Sequence, residues 1–139
     1  MELIDRWQRG QLEILSEDEC RDLLTSGTVG RVAYNDDQGP VVTPVNYSVN
    51  DGSVLLATSP DGQLARHAPS QWVALEVDEI DRDEHSGWSV LVRGRTEVVE
   101  YADLPASHQS RPAPWAAGER TLYLRIAPAS LSGRRLLPA

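Results

Sequence analysis

The turn Asn50-Asp51-Gly52, set between two β-rich runs, constrains this chain more than any other feature. Such a turn supplies the positive φ that a tight hairpin needs, so the flanking runs are expected to pair as antiparallel neighbours. The first run, over residues 41–47, reads Val-Val-Thr-Pro-Val-Asn-Tyr. The second, over 54–58, reads Val-Leu-Leu-Ala-Thr and stops at Ser59-Pro60-Asp61-Gly62. Pro44 has no N–H to give to a ladder, which confines it to an edge, a bulge or a binding groove. Small polar residues collect at both ends of the hairpin: Thr43, Asn46, Thr58, Ser59 and Gln63. Hydroxyls and free N–H groups just after a strand suit a phosphate, and backbone left unpaired around Pro44 suits the edge of a flat heteroatom ring. Taken alone, the same residues read as ordinary turn chemistry.

Around this hairpin the remaining patterns are mostly β. Residues 29–34, 72–78, 88–99 and 121–127 each alternate or carry β-branched runs, with Val73, Leu75 and Val77 on one face and Leu122, Leu124 and Ile126 inward. Trp88, Val90 and Val92 share a face of the longest strand, opposite Leu91, Arg93, Arg95 and Glu97. Ser16-Glu17-Asp18-Glu19 is a capping box, Leu15 and Cys20 fall where a hydrophobic staple puts them, and Gly27 stops the helix. Residues 63–67 form a helical turn before Pro69, whereas 101–119, with Pro105, Pro112 and Pro114, show little periodicity. Before Leu15 the pattern is poor, although Leu3, Ile4 and Trp7 fit one helical face. Six strands with short antiparallel connections and one or two short helices are best served by a small closed barrel, which removes sheet edges; a sandwich is the second choice.

Composition narrows the function. A chain of 139 residues makes one domain, and its net charge of −8 argues against a nucleic-acid partner, because phosphate backbones are bound by basic patches. There is no lysine and no phenylalanine. No apolar run approaches the roughly 20 residues of a membrane helix, and the N-terminus lacks the regions of a signal peptide. The single cysteine, Cys20, fits a reducing cytoplasm and reads as a packed apolar residue, not a nucleophile.

Other chemistry finds little support. His67, His85 and His108 lack ligand spacing, so no metal site is expected, and no nucleophile elbow or phosphate-binding glycine loop is present. The acidic residues 78–84 lack the spacing of a calcium loop and read as a solvated loop. Arg93, Arg95 and Glu97 suggest cross-strand salt bridges. Trp72, Trp88 and Trp115 are expected to pack in a core or an interface, and less commonly beside a planar cofactor.

The order of these segments carries more than any one of them. It runs Thr28-Val29-Gly30-Arg31-Val32-Ala33, residues 40–47, residues 55–64, Val73-Ala74-Leu75-Glu76-Val77-Asp78, Trp88-Ser89-Val90-Leu91-Val92-Arg93-Gly94, Arg125-Ile126 with Pro128, and Gly133-Arg134-Arg135. This order resembles the pyridoxamine 5′-phosphate oxidase-like family of flavin-binding split β-barrels, from Leu15 to the C-terminus.

The resemblance implies a mainly β fold, a six-stranded antiparallel split β-barrel spanning residues 1–139. Residues 1–14 would be an N-terminal extension and 128–139 a C-terminal tail near a dimer interface. It implies a homodimer with FMN in grooves between subunits. Val42, Thr43, Pro44, Val45 and Asn46 would run along the ring and ribityl chain, with Ala57, Thr58 and Ser59 near the phosphate. Trp88 and Ser89 would reach the flavin held mainly by the other subunit, and Arg134 would lie where the tail closes over the ring.

Two departures stand out. Gln63 occupies the position where the family usually has lysine or arginine for the phosphate; Arg66, about one helical turn on, is the expected substitute. Arg135 is followed by Leu136-Leu137-Pro138-Ala139, without the histidine that vitamin B6 oxidases carry, so that activity is not expected. The reading is a cytoplasmic FMN-dependent oxidoreductase of unassigned substrate, with no catalytic residue named and no membrane or nucleic-acid partner. The alternatives are a deazaflavin-dependent reductase, or a dimeric module that binds flavin or haem without catalysis or holds no cofactor.

Overall fold

The structure, a computed structural model, describes residues 10–139; the expectations for Leu3, Ile4 and Trp7 fall outside the described residues. Its strands are β1 (Leu12–Ile14), β2 (Val29–Asp36), β3 (Gly39–Asn50), β4 (Ser53–Thr58), β5 (Trp72–Asp81), β6 (Ser86–Val99) and β7 (Leu122–Leu136). Helix α1 (Glu17–Ser26) precedes β2, and the short α2 (Gln63–His67) joins β4 to β5. All pairings are antiparallel in the order β1-β7-β4-β3-β2-β5-β6, and β6 pairs back onto β7. Six strands thereby close a ring, the expected split barrel, and β1 adds to the outside of β7.

The turn that organises the sequence forms as expected: Asp51 has φ of 50° and Gly52 of 78°, the paired positive values of a two-residue hairpin. The inward alternation fills the barrel, with Val32, Val54, Leu56, Leu75, Val77, Val90, Val92, Leu124 and Ile126 all almost wholly buried. Glu97 pairs with Arg125 at 2.8 Å directly across the β6–β7 ladder.

Helix α1 closes one end of the barrel. The capping box is complete: Ser16 Oγ accepts from the Glu19 N–H (3.2 Å) and Glu19 Oε1 accepts from the Ser16 N–H (3.0 Å). That reciprocal pair holds the Glu19 carboxyl below its ordinary range. Leu15, Cys20 and Leu24 face the core. Cys20 is fully buried and burial pushes its thiol up, so it behaves as a packing residue. The close approach of α1 requires Gly133 on β7, where a Cβ would come within 2.8 Å of Cys20 Sγ. At the other end of the helix, Tyr47 Oη donates to the Leu24 carbonyl at 2.5 Å, and a Cβ on Gly27 would collide with that hydroxyl.

Two expectations are corrected and a third is narrowed. The last strand does not end at Ala127: residues 128–136, expected as a tail, continue β7 against β6, and Leu12, Glu13 and Ile14 pair with Leu136, Arg135 and Arg134. Pro128 is accommodated because the β6–β7 register shifts between Arg93 and Gly94, where Pro128 faces Gly94. Of the three tryptophans expected in a core or an interface, Trp88 packs against the core, half-buried, while Trp72, 56% exposed, and Trp115, 75% exposed, lie outside the core of the chain. Finally, the connection over residues 100–121 is more ordered than its prolines suggested. It carries short 3-10 turns at Tyr101–Asp103 and His108–Ser110 and buries Leu104 against Leu55 and Val99.

Candidate functional site

The groove arises where β3 and β4 part. Their ladder runs only from Asn50↔Ser53 to Tyr47↔Leu56. Beyond it, β3 pairs with β2 alone through residues 39–46, while β4 continues against β7 through Ala57 and Thr58. Pro44, lacking an N–H, lies on this half-free stretch, which is the edge position its chemistry allows. A cavity of about 600 Å³ fills the opening.

Eight of the expected residues line it: Thr43, Pro44, Val45, Asn46, Ala57, Thr58, Ser59 and Gln63. Val29, Tyr34, Val41 and Leu64 supply apolar wall. The result is a slot with unpaired β3 backbone along one side and hydroxyl and amide groups at the strand end. That donor set fits a flat heteroatom ring followed by a polar chain and a phosphate.

Five expected residues lie elsewhere. Val42 is 62% exposed on the outer face, because alternation along β3 turns Val41 and Thr43 into the groove and Val42 out of it. Arg66 lines a separate hollow beside Asp36 and Asp37. Leu64 is buried and sets the rotation of α2, and two residues on amounts to about 200° of turn, so Arg66 points away from the slot. Trp88, Ser89 and Arg134 come together, on adjacent registers of β6 and β7, but in a second groove, also of about 600 Å³. That groove is bordered by Leu12, Ile80 and Leu136, all exposed.

The second groove is also lined by Glu76 and Asp78, which form an ion cluster with Arg31. Arg31 Nη1 lies 3.2 Å from both Glu76 and Asp78. Partial burial, with the neighbouring Asp78 carboxyl adding to it, raises Glu76 to about 7 despite the arginine. Among the described residues, no cluster of three metal-ligating side chains is present, and no helix is long and apolar enough to cross a membrane.

Sequence reasoning missed the fourth wall. Residues Pro114, Trp115, Ala116 and Arg120 of the β6–β7 connection fold over the slot. Two bonds from β3 hold them there: the Trp115 N–H donates to Asn46 Oδ1 (2.9 Å) and Ser48 Oγ donates to the Ser110 carbonyl (2.9 Å). Only the β4–β7 pairing brings this connection to the groove, and no local pattern announces it.

A closed antiparallel ring with one parted strand pair, a polar-ended slot in the parting and a helix across one end is a split-barrel-like fold. The sequence model of the family described as pyridoxamine 5′-phosphate oxidase matches residues 16–135, and the chain belongs to that family. An uncharacterized protein of Mycobacterium tuberculosis, Rv0080, is 30% identical over 128 residues, which is 88% of this chain and 84% of that protein. Among solved structures, one named as the FAD binding protein from Mycobacterium smegmatis superposes with a TM-score of 0.70 at 31% identity, covering 90% of this chain and 98% of that one. Another, named as a FAD-binding protein from Mesorhizobium loti, has a TM-score of 0.69 at 26% identity, with 91% and 98% covered.

Proposed function

We propose that the chain is a flavin-nucleotide-binding oxidoreductase that works as a homodimer in the cytoplasm. The observation that carries this reading is the β3–β4 parting. It presents unpaired backbone and the Asn46 side chain beside an apolar slot, and it ends in Thr58, Ser59 and Gln63. When bound, the flavin supplies hydride or electron transfer. The chain's own residues orient the ring through β3, hold the polar tail at the end of β4, and exclude water with the 114–120 wall. Among the described residues the slot is lined by no carboxylate, histidine or cysteine, so the protein's part is positioning, hydrogen bonding and the charge of Arg120.

The dimer reading is supported by the second groove. Trp88, Ser89 and Arg134 gather there among exposed Leu12, Ile80 and Leu136, and a partner's slot would give these side chains something to cover. FMN is the first choice of ligand. FAD is the second, favoured by the names of the two superposing structures and by Trp115, whose exposed ring at the groove rim offers a stacking face to an adenine.

The test is the visible absorbance of the purified protein, as isolated and after incubation with FMN or FAD followed by gel filtration. A retained yellow spectrum that a reductant bleaches is expected, in a particle of twice the chain mass. A protein that retains neither nucleotide overturns the reading, and a monomer that binds flavin fully overturns the shared-site part of it.

A further inference from the structure

We infer that Arg120 provides the positive charge for the phosphate of the bound nucleotide, in place of the basic side chain missing at Gln63. This rests on the flavin reading above. Arg120 is the one charged side chain lining the slot among the described residues. Its position follows from strand register. Thr58 pairs with Leu122, so the chain just before β7 runs back past the end of β4 and brings Arg120 abreast of the Ser59-Pro60 turn. That is the end of the slot where Thr58, Ser59 and Gln63 collect.

The connection turns just before Arg120. Gly118, with φ of 99°, makes that turn in a backbone conformation that favours glycine. The Trp115–Asn46 bond ties the same segment to the β3 side of the slot. Arg120 itself spends one donor on the neighbouring Glu119 carbonyl (3.1 Å), which leaves most of its fork for a ligand. Other nearby arginines lie elsewhere: Arg66 lines the hollow with Asp36 and Asp37, and Arg111 donates to the Pro105 carbonyl and stacks over Tyr101. In a chain of net charge −8, a phosphate is repelled at long range, so one local cation decides whether it is held. A charge-assisted contact outweighs the neutral amide of Gln63.

The experiment compares FMN with riboflavin, which has the ring and ribityl chain but no phosphate, by flavin fluorescence titration. The wild-type protein should prefer FMN. Arg120→Ala should weaken FMN binding by roughly tenfold or more, leave riboflavin unchanged, and flatten the salt dependence of FMN binding. Arg66→Ala should change neither ligand. Adding Gln63→Arg to Arg120→Ala should restore the FMN preference, which a merely disordered wall would not allow. If Arg120→Ala weakens both ligands equally or neither, or if the wild type binds riboflavin as tightly as FMN, the role of Arg120 is overturned while the flavin reading stands. If the wild type binds no flavin at all, both fall together.

Discussion

Tyr47→Phe probes how α1 is fastened to the barrel, and its effect should reverse sign with pH. Tyr47 is 2% exposed, and its hydroxyl donates at 2.5 Å to the Leu24 carbonyl in the last turn of α1. That carbonyl also accepts from the Gly27 N–H, but at 3.3 Å. Removing the hydroxyl leaves it with one long bond, so the variant should lose about 1–2 kcal/mol at neutral pH. Alkaline pH acts the other way. Burial raises the phenol to about 12 from its ordinary 10. A group whose folded pKa is raised contributes stability that is complete below the unfolded value and lost as pH rises towards the folded one. Two units correspond to roughly 3 kcal/mol, lost between about pH 10 and pH 12. The phenylalanine variant has no such loss, so the two stability curves should cross near about pH 11. The chain has no lysine, and the Cys20 thiol, raised in both proteins alike, cancels in the difference between them. Urea unfolding of both proteins at pH 7, 9, 10 and 11 measures the difference. A gap that stays constant across that series would refute the reasoning, as would a variant equal to the wild type at pH 7.

Gly133→Ala should destabilise by about 1–3 kcal/mol, because the new methyl meets Cys20 Sγ and the Ser89 carbonyl at 2.8 Å; an unchanged urea midpoint would show that α1 can move aside. With Glu76 raised to about 7, folding stability of the free chain should decline as pH rises from about 4.5 to about 7, and Glu76→Gln should flatten that slope in thermal melts. Asn46→Ala removes the acceptor that holds Trp115 and should weaken FMN and riboflavin alike; a loss confined to FMN would contradict a purely positioning role.

Local chemistry was legible wherever one short stretch carries its own geometry. Asn50-Asp51-Gly52 and Ser16 with Glu19 each declare a turn or a cap within four residues, and both form as written. Alternation likewise revealed the inward faces of β5, β6 and the first half of β7. What escaped depends on partners far away in the chain. Pro128 reads locally as a stop, and only the irregular β6 register opposite it lets β7 run on to Leu136. Strand β1 is three exposed residues whose pairing comes wholly from β7. At the site, Thr43 and Asn46 were identifiable from a proline-interrupted strand, whereas Arg120 becomes visible only once β4 and β7 are known to be neighbours. Arg66 failed for the opposite reason: spacing suggested reach, and the burial of Leu64 fixed the helix the other way round.

The connection that walls the slot leaves the barrel at Val99 and rejoins it at Tyr123, two residues that face each other across the same ladder. It is therefore a hairpin excursion whose ends are fixed by the β6–β7 ladder, with Leu104 packed on Leu55 and Val99 as its one buried anchor, and closing a longer or shorter loop beyond that anchor adds little entropy cost. The slot's outer wall is thus carried by a segment that varies more freely than the strands it spans. Replacing the connection between Leu104 and Leu122 is a route to reshaping the slot's outer wall while the strand registers of the ring stay as they are, for an engineer as for natural variation.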